Sequence, residues 1–159
     1  MFRLFRNHAA ANTLLSSKLF DQDTFYKAFI KDLSRCDKEV LIESPFITGN
    51  RVASLLPIFS KLESRGVRVT VNTRQPSEHE APFDAYASRA IARLQAVGVQ
   101  VLFTGGHHRK LAILDRGILW EGSLNILSQS ASCEVMRRIK SAQLAEQMIS
   151  FVKVDKFLK

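Results

Sequence analysis

A set of residues suited to chemistry at phosphorus lies between positions 108 and 134. The residues follow the pattern H-x-K-x4-D-x6-G-S-x-N with a glutamate after it, and are His108, Lys110, Asp115, Gly122, Ser123, Asn125 and Glu134. An imidazole can be a nucleophile or a general acid near neutral pH, a lysine is a compact charge for a phosphate oxygen, and serine and asparagine add neutral hydrogen bonds. This combination indicates attack on a phosphoester, and it requires neither a metal ion nor a cofactor.

A β-hairpin is predicted to carry the first half of this pattern. Residues 111–114 and 118–120 are apolar and β-prone, and Asp115-Arg116-Gly117 between them is typical of a tight turn. If the first strand begins near residue 108, the alternation of side chains along a strand places His108 and Lys110 on the same face. The alternative is that His108 only caps a strand and Lys110 is a solvent-exposed charge at the edge of the sheet. The H-x-K-x4-D part arises by chance in roughly one chain of this length in a hundred, and the further offsets make an accident much rarer.

This motif resembles the signature of the phospholipase D superfamily. The resemblance extends upstream, where residues 39–47 and 65–71 are similar to the first two core strands of that family, and it covers the chain from about residue 20 onward. It implies an α/β domain with a mixed, mostly parallel sheet flanked by helices on both faces. The single motif is similar to that of nuclease members that pair two chains, whereas the lipases and cardiolipin synthases carry two copies.

The resemblance also implies a role for each motif residue. His108 would be the nucleophile, Glu134 would orient and charge an imidazole, Asp115 would be more structural than chemical, and the phosphate ligands would be Lys110, Ser123 and Asn125. His107 has no lysine two residues later and is predicted to be a bystander. A metal site built from these imidazoles and carboxylates is conceivable, but the charge of Lys110 would repel a cation.

Composition limits the partners. The chain has 159 residues, a net charge of +8 and a pI near 9.9, which favour a polyanion such as nucleic acid or an anionic membrane surface. No window approaches the roughly 18 apolar residues of a transmembrane helix, so an integral-membrane lipid synthase is not expected. The two cysteines are far apart in sequence, which suits a reducing, cytoplasmic compartment.

Hydrophobic periodicity predicts one domain over residues 20–159 behind an N-terminal arm, residues 1–19. Helices are predicted at 22–35, 51–65, 83–97 and 141–157, and further strands at 39–46, 67–73, 99–103 and 134–139. The last helix should bury Leu144, Met148, Phe151 and Val152, and Trp120 should lie in the core. The arm is basic and without acids, a composition that overlaps with a mitochondrial transit peptide. It could contact a second subunit or its own domain through Phe2, Leu4, Phe5, Leu14 and Leu15.

Several basic residues are candidates for substrate contact outside the motif. Arg74 and His79 belong to a polar loop, residues 74–82, at the carboxyl end of a strand, where open α/β sheets place ligands. Arg109 alternates away from His108 and is expected to face solvent or a partner strand. The substrate-binding candidates are Arg74, Arg109 and Arg116, and a wider nucleic-acid track could add Arg137, Arg138 and Lys140. The competing interpretation of all these charges is a solvated surface.

Together these features and the resemblance predict a metal-independent phosphodiesterase that acts on DNA more readily than on RNA. The mechanism that the resemblance implies is a phosphohistidine formed at a site shared by a homodimer. The strand context, Ser44 to Ile47 and Thr73-Arg74, resembles domains attached to bacterial helicases and defence ATPases, so a helicase or ATPase partner is expected. One alternative is a phospholipase or phosphatidyl transferase, for which only residues 1–19 could supply an acyl groove. The other is an idle nucleic-acid-binding module of a larger machine.

Overall fold

The computed structural model describes residues 16–128 and 131–157. The arm residues predicted to make contacts, Phe2 to Leu15, therefore lie outside the described residues. The strands are β1 (Ser17–Asp21), β2 (Glu39–Glu43), β3 (Arg68–Thr73), β4 (Gln100–Phe103), β5 (Leu111–Leu114), β6 (Ile118–Gly122) and β7 (Val135–Lys140). The α-helices are α1 (Phe25–Leu33), α2 (Gly49–Ser64), α3 (Phe83–Ala96) and α4 (Ala142–Val152), with single 3-10 turns at Pro76–Glu78 and Asp155–Phe157.

The strands form one seven-stranded sheet in the order β1-β7-β6-β5-β2-β3-β4. Strand β2 runs parallel to β3, and β3 runs parallel to β4. The other pairs are antiparallel, including the β5–β6 hairpin predicted from residues 111–120. The predicted α/β fold with a mixed sheet is confirmed. The expectation that the sheet is mostly parallel is wrong, because only two of the six pairs formed by the described strands are parallel.

The two faces of the sheet are covered unequally. Helices α1, α2 and α3 pack on one face, where alternate residues of the central strands join the larger core, among them Val40, Val71 and Ala112. Helix α4 covers the other face over a smaller cluster that includes Leu41, Ile113 and Leu119. Trp120 is fully buried in the larger core as predicted, and its indole N–H donates to Asp32 at 3.2 Å. Helices therefore lie on both faces, as the fold class requires.

Most elements lie within a few residues of their predicted bounds, with three differences. Strand β1 begins at Ser17 and pairs with β7, so the predicted boundary between arm and domain falls inside a strand. Strand β5 begins at Leu111 and not near residue 108. Helix α4 ends at Val152 because Lys153 adopts a left-handed conformation with φ of 59°, and Phe151, predicted to be buried, is 74% exposed.

Candidate active site

The loop that leads into β5 carries the central pair of the motif. Gly106, with φ of 63°, turns the chain after β4, and an exposed His108 follows. The Nζ atom of Lys110 lies 3.1 Å from Nδ1 of His108 and donates to the His108 carbonyl oxygen at 2.8 Å. The carbonyl oxygen of Lys110 accepts from the Gly122 N–H at 3.2 Å. The two side chains are therefore side by side, as predicted, although a loop and not strand alternation brings them together.

This contact selects a tautomer for His108. An ammonium group can only donate hydrogen bonds, so Nδ1 of the neutral ring must accept from Lys110 and the ring proton must lie on Nε2. A ring in this form presents an N–H at Nε2. Such a ring can donate a proton from that atom but cannot attack with it.

Ser123 and Glu134 form the second part of the site, where the end of β6 meets the start of β7. The Ser123 hydroxyl donates to the Glu134 carboxylate, which also accepts from Ser132. These hydrogen bonds lower the pKa of Glu134, and the nearby charge of Lys110 lowers it further. The hydrogen bonds of Glu134 thus go to serines, and the expected contact with an imidazole is not among them.

Asn125 lies in the loop beyond β6, and its side-chain oxygen is buried without a hydrogen-bond partner. The loop itself is firmly held. The Thr48 N–H donates to the Leu127 carbonyl at 2.8 Å, the Leu127 N–H donates to the Ser44 hydroxyl at 3.1 Å, and the Tyr26 hydroxyl lies 3.1 Å from the Ile126 carbonyl. A buried polar atom without a partner is costly, so the carboxamide suits a ligand that brings a hydrogen bond.

Arg74 also lies at the site, as predicted. Burial lowers the pKa of Lys110 from its ordinary value of 10.5; the Glu134 carboxylate opposes this shift, and the Arg74 guanidinium adds to it. The guanidinium of Arg74 lies 5.6 Å from the ring centre of Phe46, whose ring is 6.3 Å from that of His108. Two cations and one carboxylate are thus close to one another, which favours an anionic ligand.

Three other predicted site residues have structural partners. Asp115 accepts hydrogen bonds from the N–H groups of Asp37, Lys38 and Glu39 at 2.9–3.0 Å, which ties the hairpin turn to the start of β2. Arg116, in the same turn at the far end of β5 from His108, pairs with Glu39 and Glu146. Arg109 pairs with the fully buried Glu43, while its own side chain stays 38% exposed. Within the wider track, Arg138 pairs with Asp32.

His107, predicted to be a bystander to the chemistry, has structural partners of its own. Its ring is buried, with Nε2 3.2 Å from the Asn72 carbonyl oxygen, and Nδ1 accepts from the Arg109 N–H at 3.0 Å. Asn72 in turn donates to Glu43 at 3.0 Å, and so a buried polar network lies directly behind the loop of His108. The signal for this network was a glutamate and an asparagine, Glu43 and Asn72, at buried positions near the carboxyl ends of two neighbouring strands.

An open groove of about 1030 Å³ adjoins the site between α3, the start of α2 and the loop after β3. Phe46 and Arg74 lie both at its near end and beside the motif, and Ser128 extends it to the loop of Asn125. Apolar side chains line much of it, including Phe83 and Tyr86. This groove lies outside residues 1–19, the segment expected to supply an acyl groove or an interfacial helix for a lipid substrate.

One known protein family matches most of the chain, including the site. A family described as "Cardiolipin synthase, PLD-like domain" matches residues 29–155, which include every residue of the motif. The chain belongs to this PLD-like family. The predicted membership of the phospholipase D superfamily is thereby confirmed. Among curated proteins, none matches the chain in sequence.

Solved structures share the PLD-like fold at low identity. Nuc, a phospholipase D family member from Salmonella typhimurium, is 14% identical with a TM-score of 0.71, and the match covers 86% of this chain and 90% of Nuc. NucT from Helicobacter pylori is 20% identical with a TM-score of 0.66, covering 86% of this chain and 92% of NucT. Polyphosphate kinase from Porphyromonas gingivalis is 14% identical with a TM-score of 0.69, and the match covers 90% of this chain but only 26% of the kinase. The fold alone therefore does not select the reaction.

Two further findings concern a membrane and a metal ion as possible partners of the chain. None of the helices in residues 16–128 and 131–157 is long and apolar enough to cross a membrane. The same residues contain no group of three or more histidine, cysteine, aspartate or glutamate side chains that could hold a metal ion.

Proposed function

We propose that this chain is a phosphodiesterase that cleaves DNA through a phosphohistidine, without a metal ion, at a site shared by two copies. The observation that carries the proposal is the 3.1 Å approach of the Lys110 ammonium to the exposed imidazole of His108. A nucleophile and a charge for the developing phosphorane oxygens thus lie side by side. The net charge of +8 supports a polyanionic substrate.

The proposed chemistry has two displacements at phosphorus. In the first, Nε2 of one His108 forms the P–N bond while the P–O bond to the leaving oxygen breaks, and the His108 of the second copy, as imidazolium, gives that oxygen its proton. In the second, water attacks phosphorus, the now neutral imidazole of the second copy takes its proton, and the P–N bond breaks. Each histidine ends in its starting form.

Lys110 controls when a His108 ring can attack. The nucleophilic ring needs a lone pair at Nε2 and its proton on Nδ1, but Nδ1 accepts from Lys110 in the structure. A phosphate oxygen is a better acceptor for the ammonium than an imidazole nitrogen, because it is charged. We infer that the arriving phosphate draws Lys110 from Nδ1. Water then takes the proton from Nε2 and gives one to Nδ1, which leaves the Nε2 lone pair free for attack. The Asn125 amide N–H groups would hold a remaining phosphate oxygen, and its side-chain oxygen would accept from the water; Ser123 would take part by turning its hydroxyl from Glu134 to the phosphate.

The direct test is cleavage in the presence of a chelator. Single-stranded DNA, duplex DNA, RNA and phosphatidylglycerol vesicles are incubated with the protein in excess EDTA, beside the small diester bis(p-nitrophenyl) phosphate. DNA cleavage should persist, because Lys110 and the two histidines take the electrophilic and proton-transfer roles of a metal. Loss of cleavage in EDTA with recovery on adding a divalent ion would overturn the mechanism.

A second test concerns the nucleophile. His108→Ala should abolish cleavage of DNA and of the small diester, and its far-ultraviolet circular dichroism should match wild type because this side chain is exposed. Rapid quenching of wild type at alkaline pH should trap a nucleotide on His108, detectable by mass spectrometry. A covalent adduct on His107 or His79 would contradict the assignment.

A phosphatidyl transferase or phospholipase is the second candidate, and the apolar groove beside the site is the observation that favours it. The same residues would then act on a lipid phosphodiester. Release of the headgroup from the vesicles, with intact DNA, would select this function.

A further inference from the structure

The groove beside the site combines aromatic rings with guanidinium groups. Phe83 is 63% exposed and Tyr86 is 49% exposed, and both rings line the same groove, so they offer neighbouring aromatic faces to a ligand. Arg89 lies over the Tyr86 ring, with its guanidinium carbon 5.1 Å from the ring centre. Arg93, one helical turn after Arg89, continues the basic lining along the same helix.

The aromatic lining begins at the motif itself. The Phe46 ring lies between His108, at 6.3 Å, and His79, at 5.5 Å. The Phe83 and Tyr86 rings are 6.4 Å apart and nearly perpendicular. These separations are about twice the roughly 3.4 Å rise per nucleotide in a duplex strand, so bases held on these rings would be unstacked from one another.

We propose that this groove binds an unpaired nucleic-acid strand, with bases stacked on Phe83 and Tyr86 and phosphates along Arg89 and Arg93, as the strand runs toward His108. The inference rests on the proposed nuclease function and assigns the substrate as single-stranded. Aromatic faces between cationic groups are the combination that single strands require, because every base has a π-face and every linkage a charge. Duplex bases are paired and already stacked, so they cannot reach these rings.

The charges of the groove favour a strand over an acyl chain. Three arginines and two glutamates line it. One of these carboxylates, Glu78, accepts from the Gly106 N–H at 2.9 Å and pairs with Arg74 at 3.7 Å. An acyl chain would remove these charged groups from water without offering them a partner. A phosphodiester backbone would pair with the arginines. The volume of about 1030 Å³ also reaches the upper end of the roughly 300–1,000 Å³ of small-molecule sites, which suits several nucleotides.

The first experiment measures binding with cleavage switched off. Fluorescence anisotropy of a labelled single-stranded oligonucleotide is compared between His108→Ala and the triple variant that adds Phe83→Ala and Tyr86→Ala. Loss of two stacking faces should weaken binding by about 100-fold, roughly ten-fold for each base. The matched control is Phe151→Ala in the His108→Ala background, since Phe151 is also exposed but lies on α4, which covers the opposite face of the sheet. Binding should be unchanged in this control.

A second variant tests the phosphate contacts without removing an aromatic ring. The logarithm of single-strand affinity is plotted against the logarithm of salt concentration for Arg93→Gln and for Lys61→Gln, both in the His108→Ala background. Arg93→Gln should flatten the slope by about 0.7, the value for one phosphate of a single strand. Lys61 lies near the last turn of α2, away from the groove at its first turn, and its replacement should leave the slope as it is.

Cleavage separates a failure of this inference from a failure of the proposed function. If both hold, Phe83→Ala/Tyr86→Ala should lower the kcat/KM for single-stranded DNA about 100-fold relative to that for bis(p-nitrophenyl) phosphate. If wild type cleaves DNA but the double variant binds and cleaves it equally well, the groove assignment is overturned and the function stands. If wild type cleaves neither diester yet the double variant loses oligonucleotide binding, the function fails and the groove assignment stands. Binding of anionic vesicles that depends on Phe83 and Tyr86, with oligonucleotide binding unaffected, would overturn it in favour of an acyl groove.

Discussion

At the scale of single residues, the motif divides into groups that could meet a substrate and groups that hold the backbone. His108 is exposed and the Asn125 side-chain oxygen is buried without a hydrogen-bond partner, whereas Asp115 accepts from three backbone N–H groups and a Cβ at Gly122 would clash with the Val135 carbonyl oxygen. The structural role of Asp115 was expected from the family resemblance, and that of Gly122 from its lack of a side chain. The sequence did not predict His107, because a buried histidine is recognised only by the backbone groups that surround it.

Asp115 should matter for stability and not for chemistry. Asp115→Ala removes the acceptor of three backbone N–H groups, and we expect a loss of about 2–3 kcal/mol in the free energy of unfolding, measured by urea titration. The activity per folded molecule should remain near wild type. Asp37→Ala is the control, because it removes only an exposed ion pair with Arg65 and should cost less than about 1 kcal/mol. A fully folded but inactive Asp115→Ala protein would give this carboxylate a chemical role.

His107 should make the fold sensitive to mild acid. Burial lowers the pKa of His107 below its ordinary value of 6.5. The Glu43 carboxylate, 3.9 Å away, opposes this shift, but the charge of Arg109, which pairs with Glu43, lowers the pKa further. Just below about pH 6.5, the unfolded chain therefore binds a proton at this histidine that the folded chain does not. The free energy of unfolding is thus highest above about pH 6.5 and decreases as the pH falls below it. Urea midpoints between pH 7.5 and 5 should show this decrease.

Two histidine-to-asparagine variants test whether His107 causes the loss of stability in acid. His107→Asn should be less stable at pH 7.5 but should lose the decrease below pH 6.5. His79→Asn, at the half-buried ring beside Phe46, should keep it. Equal slopes in wild type and His107→Asn would place the titrating group elsewhere.

At the scale of elements, the sequence located most helices and strands because each shows its own hydrophobic period. The failures all depend on distant partners or on single dihedral angles. Strand β1 is a five-residue edge strand that is stabilised by its pairing with β7, more than 100 residues later, and no local pattern reveals that pairing. The early end of α4 depends on the left-handed Lys153, a conformation that a lysine rarely adopts.

Gly122 joins the strands that carry the motif. A Cβ atom there would lie 2.1 Å from the Val135 carbonyl oxygen and 2.9 Å from the Cα of Met136, so β6 and β7 could not keep their register. Gly122→Ala should therefore destabilise the protein by about 1–3 kcal/mol or more and should also displace Ser123 from Glu134, lowering kcat in the molecules that remain folded. Gly117→Ala is the control, since its Cβ would meet only the Asp115 carbonyl at an ordinary 3.7 Å. Thermal melts and single-turnover rates measure both effects.

At the scale of the whole molecule, the sequence predicted the kinds of residue at the site but not the surface around it. The groove is formed by α3, the start of α2 and a loop, which are adjacent only after folding, so Phe83 and Tyr86 gave no signal in sequence. Arg74 was found because the carboxyl end of a buried strand is a recognisable position. Arg116 was assigned to the substrate by charge alone, and its acidic partners come from β2 and α4.

The subunit count follows from the chemistry, because one chain carries one motif whereas the proposed reaction needs a nucleophilic imidazole and a separate acidic one. We expect a twofold dimer in which the same patch on each chain meets itself and both copies of His108 reach one phosphate. Wild-type chains are mixed with tagged His108→Ala chains, and the heterodimer is isolated by the single tag. Its turnover should be far below half that of wild type, since the shared site lacks one imidazole, whereas independent sites would give about half. A heterodimer of tagged and untagged wild-type chains controls for the exchange procedure and should be fully active. A monomer that still cleaves DNA at concentrations well below the dimer dissociation constant would rule out the shared site.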